Sequence, residues 1–155
     1  MEQLTIQPGN PGGPDARRLI EDLDGYLNSL YPAESNHLLS VEALQQPNVT
    51  FLIARINGKP VGCGAFVNHG KYAEIKRMFV PPDLRGKGIG RRIMDELETH
   101  ARLDGLPISR LETGVSQPAA LKLYEHCGYL RRGPFPPYSN DPQSVFMEKK
   151  LTRPE

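Results

Sequence analysis

Residues 85–91 read Arg85-Gly86-Lys87-Gly88-Ile89-Gly90-Arg91, the stretch of this chain whose residue types point most directly to chemistry. Glycines at 86, 88 and 90 let the backbone turn its N–H groups toward one point with no side chain in the way. An amphipathic pattern begins at Gly88, so the positive end of a helix falls at the same point. Arg85, Lys87, Arg91 and Arg92 add a local basic cluster. Together these make a socket for a phosphate or pyrophosphate; a helix start that only caps itself is the plainer alternative. A P-loop would need Gly-Lys followed by Ser or Thr to hold magnesium, and Gly86-Lys87-Gly88 offers neither. A dinucleotide fingerprint would put Arg91 where a third glycine must allow close helix–strand packing. What fits is Arg85-x-x-Gly88-x-Gly90 after an apolar strand that ends in Val80-Pro81.

The elements that must hold this turn are legible on both sides of it. Leu19, Leu23, Leu27 and Leu30 keep helical spacing, which predicts an amphipathic helix over 15–30 behind a short first strand at 4–7. Residues 31–40 are polar and irregular, with a short helix expected at 41–46. Two apolar runs, 50–56 and 60–67, are joined by Asn57-Gly58, a dipeptide that favours a tight hairpin. A second turn at 68–70 leads into a strand at 71–80. Ile89, Ile93, Leu97 and Ala101 form the apolar stripe of a helix over 88–103 that Gly105 stops. A strand at 108–113 follows, and two strands separated by one helix predict a parallel pair with a right-handed crossover. Ser116 is the expected cap of a helix over 117–127, closed by Gly128. A final antiparallel pair, 129–132 and 144–151, flanks a Pro-rich loop at 133–142.

The bulk numbers narrow the class. The 155 residues predict one domain, 1–155, able to bury a substantial core. Lys plus Arg number 19 and Asp plus Glu 18, a formal charge of +1, which argues against nucleic acid or an anionic membrane as partner. Cys63 and Cys127 form no disulfide framework, the four histidines show no metal-site spacing, and no metal is expected. The start of the chain shows no secretory signal and no stretch is apolar enough to span a bilayer, so the expected location is cytoplasmic. Asn48-Val49-Thr50 fits a glycosylation sequon but reads as chance in that setting.

The glycine turn, together with the strand Ala73-Glu74-Ile75-Lys76-Arg77-Met78-Phe79-Val80, the segment Leu123-Tyr124-Glu125-His126-Cys127-Gly128-Tyr129 and the closing Ser144-Val145-Phe146-Met147-Glu148, resembles the GNAT superfamily of N-acetyltransferases. The match is good over residues 50–150 and topological before that. It implies an α/β fold with a mixed, mostly antiparallel sheet of about six to seven strands, a splayed central parallel pair and about four flanking helices. It also implies acetyl-CoA as acyl-donor cosubstrate. Its pantetheine arm would pair with backbone groups of Met78, Phe79 and Val80, and its pyrophosphate would meet the N–H groups of Arg85, Gly86, Lys87, Gly88, Ile89, Gly90 and Arg91. Lys87 itself reads as a solvated charge near phosphate.

The implied reaction is direct acetyl transfer to a primary amine in a ternary complex, with a small molecule favoured over a protein as acceptor. A lysine-like amine has a pKa of about 10.4, so roughly one molecule in a thousand is neutral at pH 7, a deficit of about 4 kcal/mol. A general base is needed, and the resemblance points to Glu74; the alternative is a sheet glutamate paired with Lys76 or Arg77. Tyr124 stands where the family commonly places the acid that protonates the CoA thiolate. Cys127, one helical turn away, makes a covalent route conceivable but reads better as a small buried hydrophobe. By the same resemblance the acceptor is held by 31–40 and 135–141, with Glu34, Asn36 and His37 as polar contacts and Tyr31 and Tyr138 as walls. A non-catalytic acyl-CoA-binding regulatory domain remains the alternative function, and the chain is expected to be a monomer or homodimer.

Overall fold

The computed structural model of the chain describes residues 3–31 and 39–151. One seven-stranded sheet runs through it. The strands are β1 (Leu4–Pro8), β2 (Val49–Ile56), β3 (Lys59–Asn68), β4 (Ala73–Phe79), β5 (Ile108–Gly114), β6 (Leu130–Arg132) and β7 (Ser144–Lys150). Their order across the sheet is β1-β2-β3-β4-β5-β7-β6. Every neighbouring pair is antiparallel except β4 and β5. Asn57 and Gly58 both take positive φ, 53° and 79°, and so turn β2 back into β3 as the dipeptide predicts.

Among the described residues four α-helices cover the sheet: α1 (Pro14–Leu30), α2 (Val41–Leu44), α3 (Ile89–Leu103) and α4 (Pro118–His126). The stripe Ile89, Ile93, Met94, Leu97 and Ala101 of α3 packs on Leu52, Phe66, Ala73, Ile75 and Leu111 of the strands, and Tyr124 and Cys127 join it from the α4 end. The stripe Ala16, Leu19, Ile20 and Leu23 of α1 packs with Leu44 of α2 on Phe51, Ile53, Cys63, Ala65 and Phe79. Burial of these two apolar faces, more than helix propensity, holds the layers together.

Two local expectations are corrected. The cap of α4 is Gln117 rather than Ser116, and no side chain caps the helix. Pro118 at the first helical position removes one of the orphan donors, so the cap has less to satisfy. The strand expected from 71 begins at Ala73, because residues 69–72 close the turn with a His69 N–H to Tyr72 C=O bond of 3.0 Å.

Candidate active site

The site begins with a bulge. Along β3 and β4 the register steps from Ala65↔Lys76 to Cys63↔Phe79, so three steps on β4 face two on β3. The extra residue falls at Arg77, which has φ of +56°. That conformation is uncommon for a side chain of this size and needs outside support. Asp24 of α1 supplies it by an ion pair with Arg77 Nη1, and the Leu39 carbonyl accepts from Arg77 Nε at 2.9 Å. The bulge also reverses the alternation of the strand. Ala73 and Ile75 belong to the α3 core, whereas Phe79, of the same parity, belongs to the α1 core.

Beyond the bulge β4 no longer meets β5. Their pairing covers only Ala73↔Ser109, Glu74↔Arg110 and Ile75↔Leu111. β5 continues beside β7 as far as Gly114↔Ser144, so the sheet opens into a wedge between the ends of two parallel strands. A cleft of about 450 Å³ lies at the wedge. Met78, Phe79 and Val80 form one side, and Gln117, Pro118, Ala119, Ala120, Leu123 and Tyr124 of α4 and its cap form the other.

The glycine turn forms the mouth of this cleft. Arg85, Gly86, Gly88, Ile89, Gly90 and Arg91 line it; Lys87 does not. Gly86 and Gly88 have φ of +83° and +80°, and Gly88 is the cap of α3. The first helical N–H to bond back is that of Arg92, to the Gly88 carbonyl at 3.2 Å. The N–H groups before it have no partner inside the helix, and no side chain caps α3. There is no acidic residue in its first turn, so the positive end of the helix is left for an anion. Arg85 is held by its own contacts: Nε donates to the Val80 carbonyl at 3.0 Å, and the guanidinium lies 5.2 Å from the Tyr26 ring centroid.

A smaller cavity of about 100 Å³ continues inward from the cleft, sharing Leu23, Met78, Gln117 and Tyr124 with it. Its polar lining comes from Lys76, Arg77, Glu112, Thr113, Gln143 and Ser144. Tyr124 therefore stands where the two spaces meet. Burial pushes the Tyr124 hydroxyl well above the usual phenol range, with Cys127 adding to it, so Tyr124 is a neutral donor throughout the accessible pH range. Tyr31 also lines the inner cavity. It is buried, and its hydroxyl accepts the Ser116 N–H at 3.0 Å. Gly114 makes room for it, since a Cβ there would lie 1.8 Å from the Tyr31 hydroxyl oxygen.

Glu74 sits apart from both spaces. It is 3% exposed and lines neither the cleft nor the inner cavity. Its Oε1 lies 2.9 Å from His69 Nε2, and its Oε2 accepts from the Tyr138 hydroxyl at 2.5 Å and from Lys76 Nζ at 3.1 Å. Tyr138 likewise lines neither space; it packs edge-on against Phe135 and reaches down to Glu74 and Lys76. The carboxylate that does line the inner cavity is Glu112, whose Oε2 accepts from the Ser144 hydroxyl at 2.6 Å. Sequence reading passed over Glu112. The signal was its place at the C-terminal end of β5, opposite the strand that carries Glu74. Glu34, Asn36 and His37 lie outside the described residues.

The thiols are poor nucleophiles. Burial pushes Cys63 up to about 12, against the pull of Arg77, and burial together with Glu98 and Asp95 pushes Cys127 up. Among the described residues no group of three or more His, Cys, Asp or Glu side chains could hold a metal ion, and no helix is long and apolar enough to cross a membrane.

The sheet parts between two central parallel strands, and at the opening lies a helix start with no side-chain cap and no acidic residue in its first turn. The acetyltransferase (GNAT) family model matches residues 16–129. The chain is 50% identical over 153 residues to the IAA acetyltransferase of Azospirillum brasilense, which covers 97% of this chain and 100% of that protein. This chain belongs to the GNAT family of acetyltransferases. Among solved structures, a Klebsiella pneumoniae chain assigned to the acyl-CoA N-acyltransferases superposes with a TM-score of 0.82 at 36% identity, covering 97% of this chain and 99% of that one. The PaiA N-acetyltransferase of Thermoplasma acidophilum in complex with coenzyme A shares the fold, with a TM-score of 0.75 at 20% identity and coverage of 96% and 99%.

Proposed function

We propose that residues 1–155 form a single cytoplasmic N-acetyltransferase domain that moves the acetyl group of acetyl-CoA directly to a primary amine of a small molecule. The observation that carries this reading is the meeting of cleft and inner cavity at Tyr124. The donor enters by the glycine turn, where its pyrophosphate takes the N–H groups of residues 85–91, and its pantetheine arm lies along Met78, Phe79 and Val80. The acceptor amine enters from the inner cavity. Its nitrogen attacks the thioester carbonyl carbon, the C–S bond breaks, Tyr124 gives a proton to the departing thiolate, and the proton lost by the new amide nitrogen restores the Tyr124 hydroxyl. A backbone N–H at the end of β4 stabilises the oxyanion. Glu74 is the base of the site and acts from behind the cavity wall, while Glu112 holds the acceptor.

Charge favours a cationic acceptor. Glu112, Lys76 and Arg77 line the inner cavity, and from behind its wall Glu74 pairs with Lys76 and Asp24 with Arg77. A carboxylate on the cavity wall is the feature that suits an ammonium group better than a second carboxylate. The name of the Azospirillum relative, an IAA acetyltransferase, supports a small-molecule acceptor. An amine panel with acetyl-CoA, read by release of free thiol, tests the reading. Cationic small amines are expected to drive thiol release, with Glu112→Gln raising their KM. A protein that binds acetyl-CoA yet releases no thiol with any amine would instead be a binding module.

A further inference from the structure

Acetylation of a bound ammonium yields an amide, a free CoA thiol and one proton. That proton must leave a site whose base is 3% exposed. The residues around Glu74 form an unbroken set of hydrogen bonds from the inner cavity to solvent. Lys76 lines the cavity, and its Nζ donates to the Tyr138 hydroxyl. Tyr138 donates to Glu74 Oε2 at 2.5 Å, and Glu74 Oε1 lies 2.9 Å from His69 Nε2. Side-chain exposure rises along the second half of this path, from 4% at Glu74 to 34% at His69.

Resting on the acetyl-transfer reading above, we propose that Lys76, Tyr138, Glu74 and His69 are the exit route for the proton released in each turnover. Lys76 gives one ammonium proton to the Tyr138 oxygen as the Tyr138 proton passes to Glu74 Oε2. The now neutral Lys76 amine takes a proton from the bound acceptor, whose nitrogen is freed to attack. Rotation of the Glu74 carboxyl about its last bond carries the acidic hydrogen to His69 Nε2, and the imidazolium loses it to water. An imidazole can hold a proton on one nitrogen and release one from the other, and His69 is the member of this set that reaches solvent. Lys76 ends as the ammonium it began as, and no other co-reactant is needed.

The neighbours keep the route in place. The Tyr72 ring centroid lies 4.9 Å from that of His69, and the Arg110 guanidinium lies over the Tyr72 ring, 4.4 Å from its centroid. Arg110 is itself occupied by Glu148 at 2.7 Å. From β5, the charge of Glu112 together with Glu74 and Tyr72 keeps the Tyr138 hydroxyl protonated, as burial does first.

The test uses His69→Ala, His69→Gln and Tyr138→Phe, assayed at saturating acetyl-CoA with an amine that the wild type acetylates. Each His69 variant is expected to lower kcat about tenfold with the KM for acetyl-CoA unchanged, and added imidazole is expected to restore the rate. His69→Gln can keep a hydrogen bond to Glu74 without carrying a proton, so a merely structural histidine would tolerate it. Tyr138→Phe is expected to lower kcat without rescue, because the break lies inside the protein. A wild-type kcat in His69→Gln, or a loss that imidazole does not restore, overturns the exit route and leaves acetyl transfer standing. A wild type that releases no thiol with any amine overturns acetyl transfer, and the exit route with it.

Discussion

Tyr124 and Glu74 were singled out by the same resemblance, and the structure gives them different settings. Tyr124 lines both the cleft and the inner cavity, with its hydroxyl kept neutral by burial. Tyr124→Phe is expected to lower kcat about a hundredfold while acetyl-CoA still binds. Steady-state kinetics beside a binding titration checks this, and the pH profile should show no limb from this hydroxyl. For Glu74 the alternative reading, a sheet glutamate paired with Lys76, named one of its partners, but not Tyr138 or His69. Lys76 is two residues away on the same strand, whereas Tyr138 comes from a loop 64 residues further on. A Pro-rich loop with no periodicity gives no sign of which strand it will cover, so Tyr138 was read as a cavity wall. Glu98 was missed for a related reason. It lies on the buried face of α3, 2% exposed, and its charge is met by Lys149 at 2.7 Å and by the Tyr129 hydroxyl at 3.1 Å. Both partners are distant in sequence.

At the scale of elements, the glycine turn was the most legible part, because its geometry is local. In the proposed binding mode the pyrophosphate meets backbone N–H groups there, so side-chain identity should matter less than backbone freedom. Gly88 has φ of +80° with open space around its Cα. A substitution there is therefore resisted by the backbone and not by a clash. Gly88→Val is expected to cost about 1–2 kcal/mol of local strain and to weaken acetyl-CoA binding markedly. Lys87→Ala, outside the cleft, is expected to change it little. Isothermal titration of the two variants side by side separates them. The bulge at Arg77 was not legible. Positive φ at an arginine has no local sequence signal; it is held by Asp24 and the Leu39 carbonyl, both brought in by tertiary packing. Yet that bulge helps open the wedge on which the whole site depends.

Across the whole molecule, the order of elements along the chain followed from periodicity and turns, whereas the place of β7 between β5 and β6 did not. The hairpin at Asn57-Gly58, the β4–α3–β5 crossover and the closing pair are each specified by short-range pattern. What periodicity could not supply is where the sheet parts, since that depends on how far two non-adjacent segments stay in register. The sheet is tied at β5, β6 and β7 by Glu148, which accepts from Arg110 at 2.7 Å and Arg132 at 2.6 Å. Burial pushes its carboxyl up, but these two hydrogen bonds and charges outweigh it and hold the group below the usual carboxylate range. A depressed folded pKa gives stability that is present above the unfolded value and lost as pH falls through the folded one. Thermal unfolding from pH 7 downward is thus expected to show wild type and Glu148→Gln converging below about pH 4. A gap that stays constant into strong acid would mean that the two arginines do not hold this carboxylate.

The central claim is that the wedge between β4 and β5 admits acetyl-CoA with its pyrophosphate at the start of α3. Calorimetric titration of the protein with acetyl-CoA, with ATP and NAD as controls, tests it most directly. The expected result is one-site binding of acetyl-CoA that is lost in Gly88→Glu and kept in Tyr124→Phe. Folded protein that takes up no acetyl-CoA, or that binds ATP or NAD in its place, would contradict it.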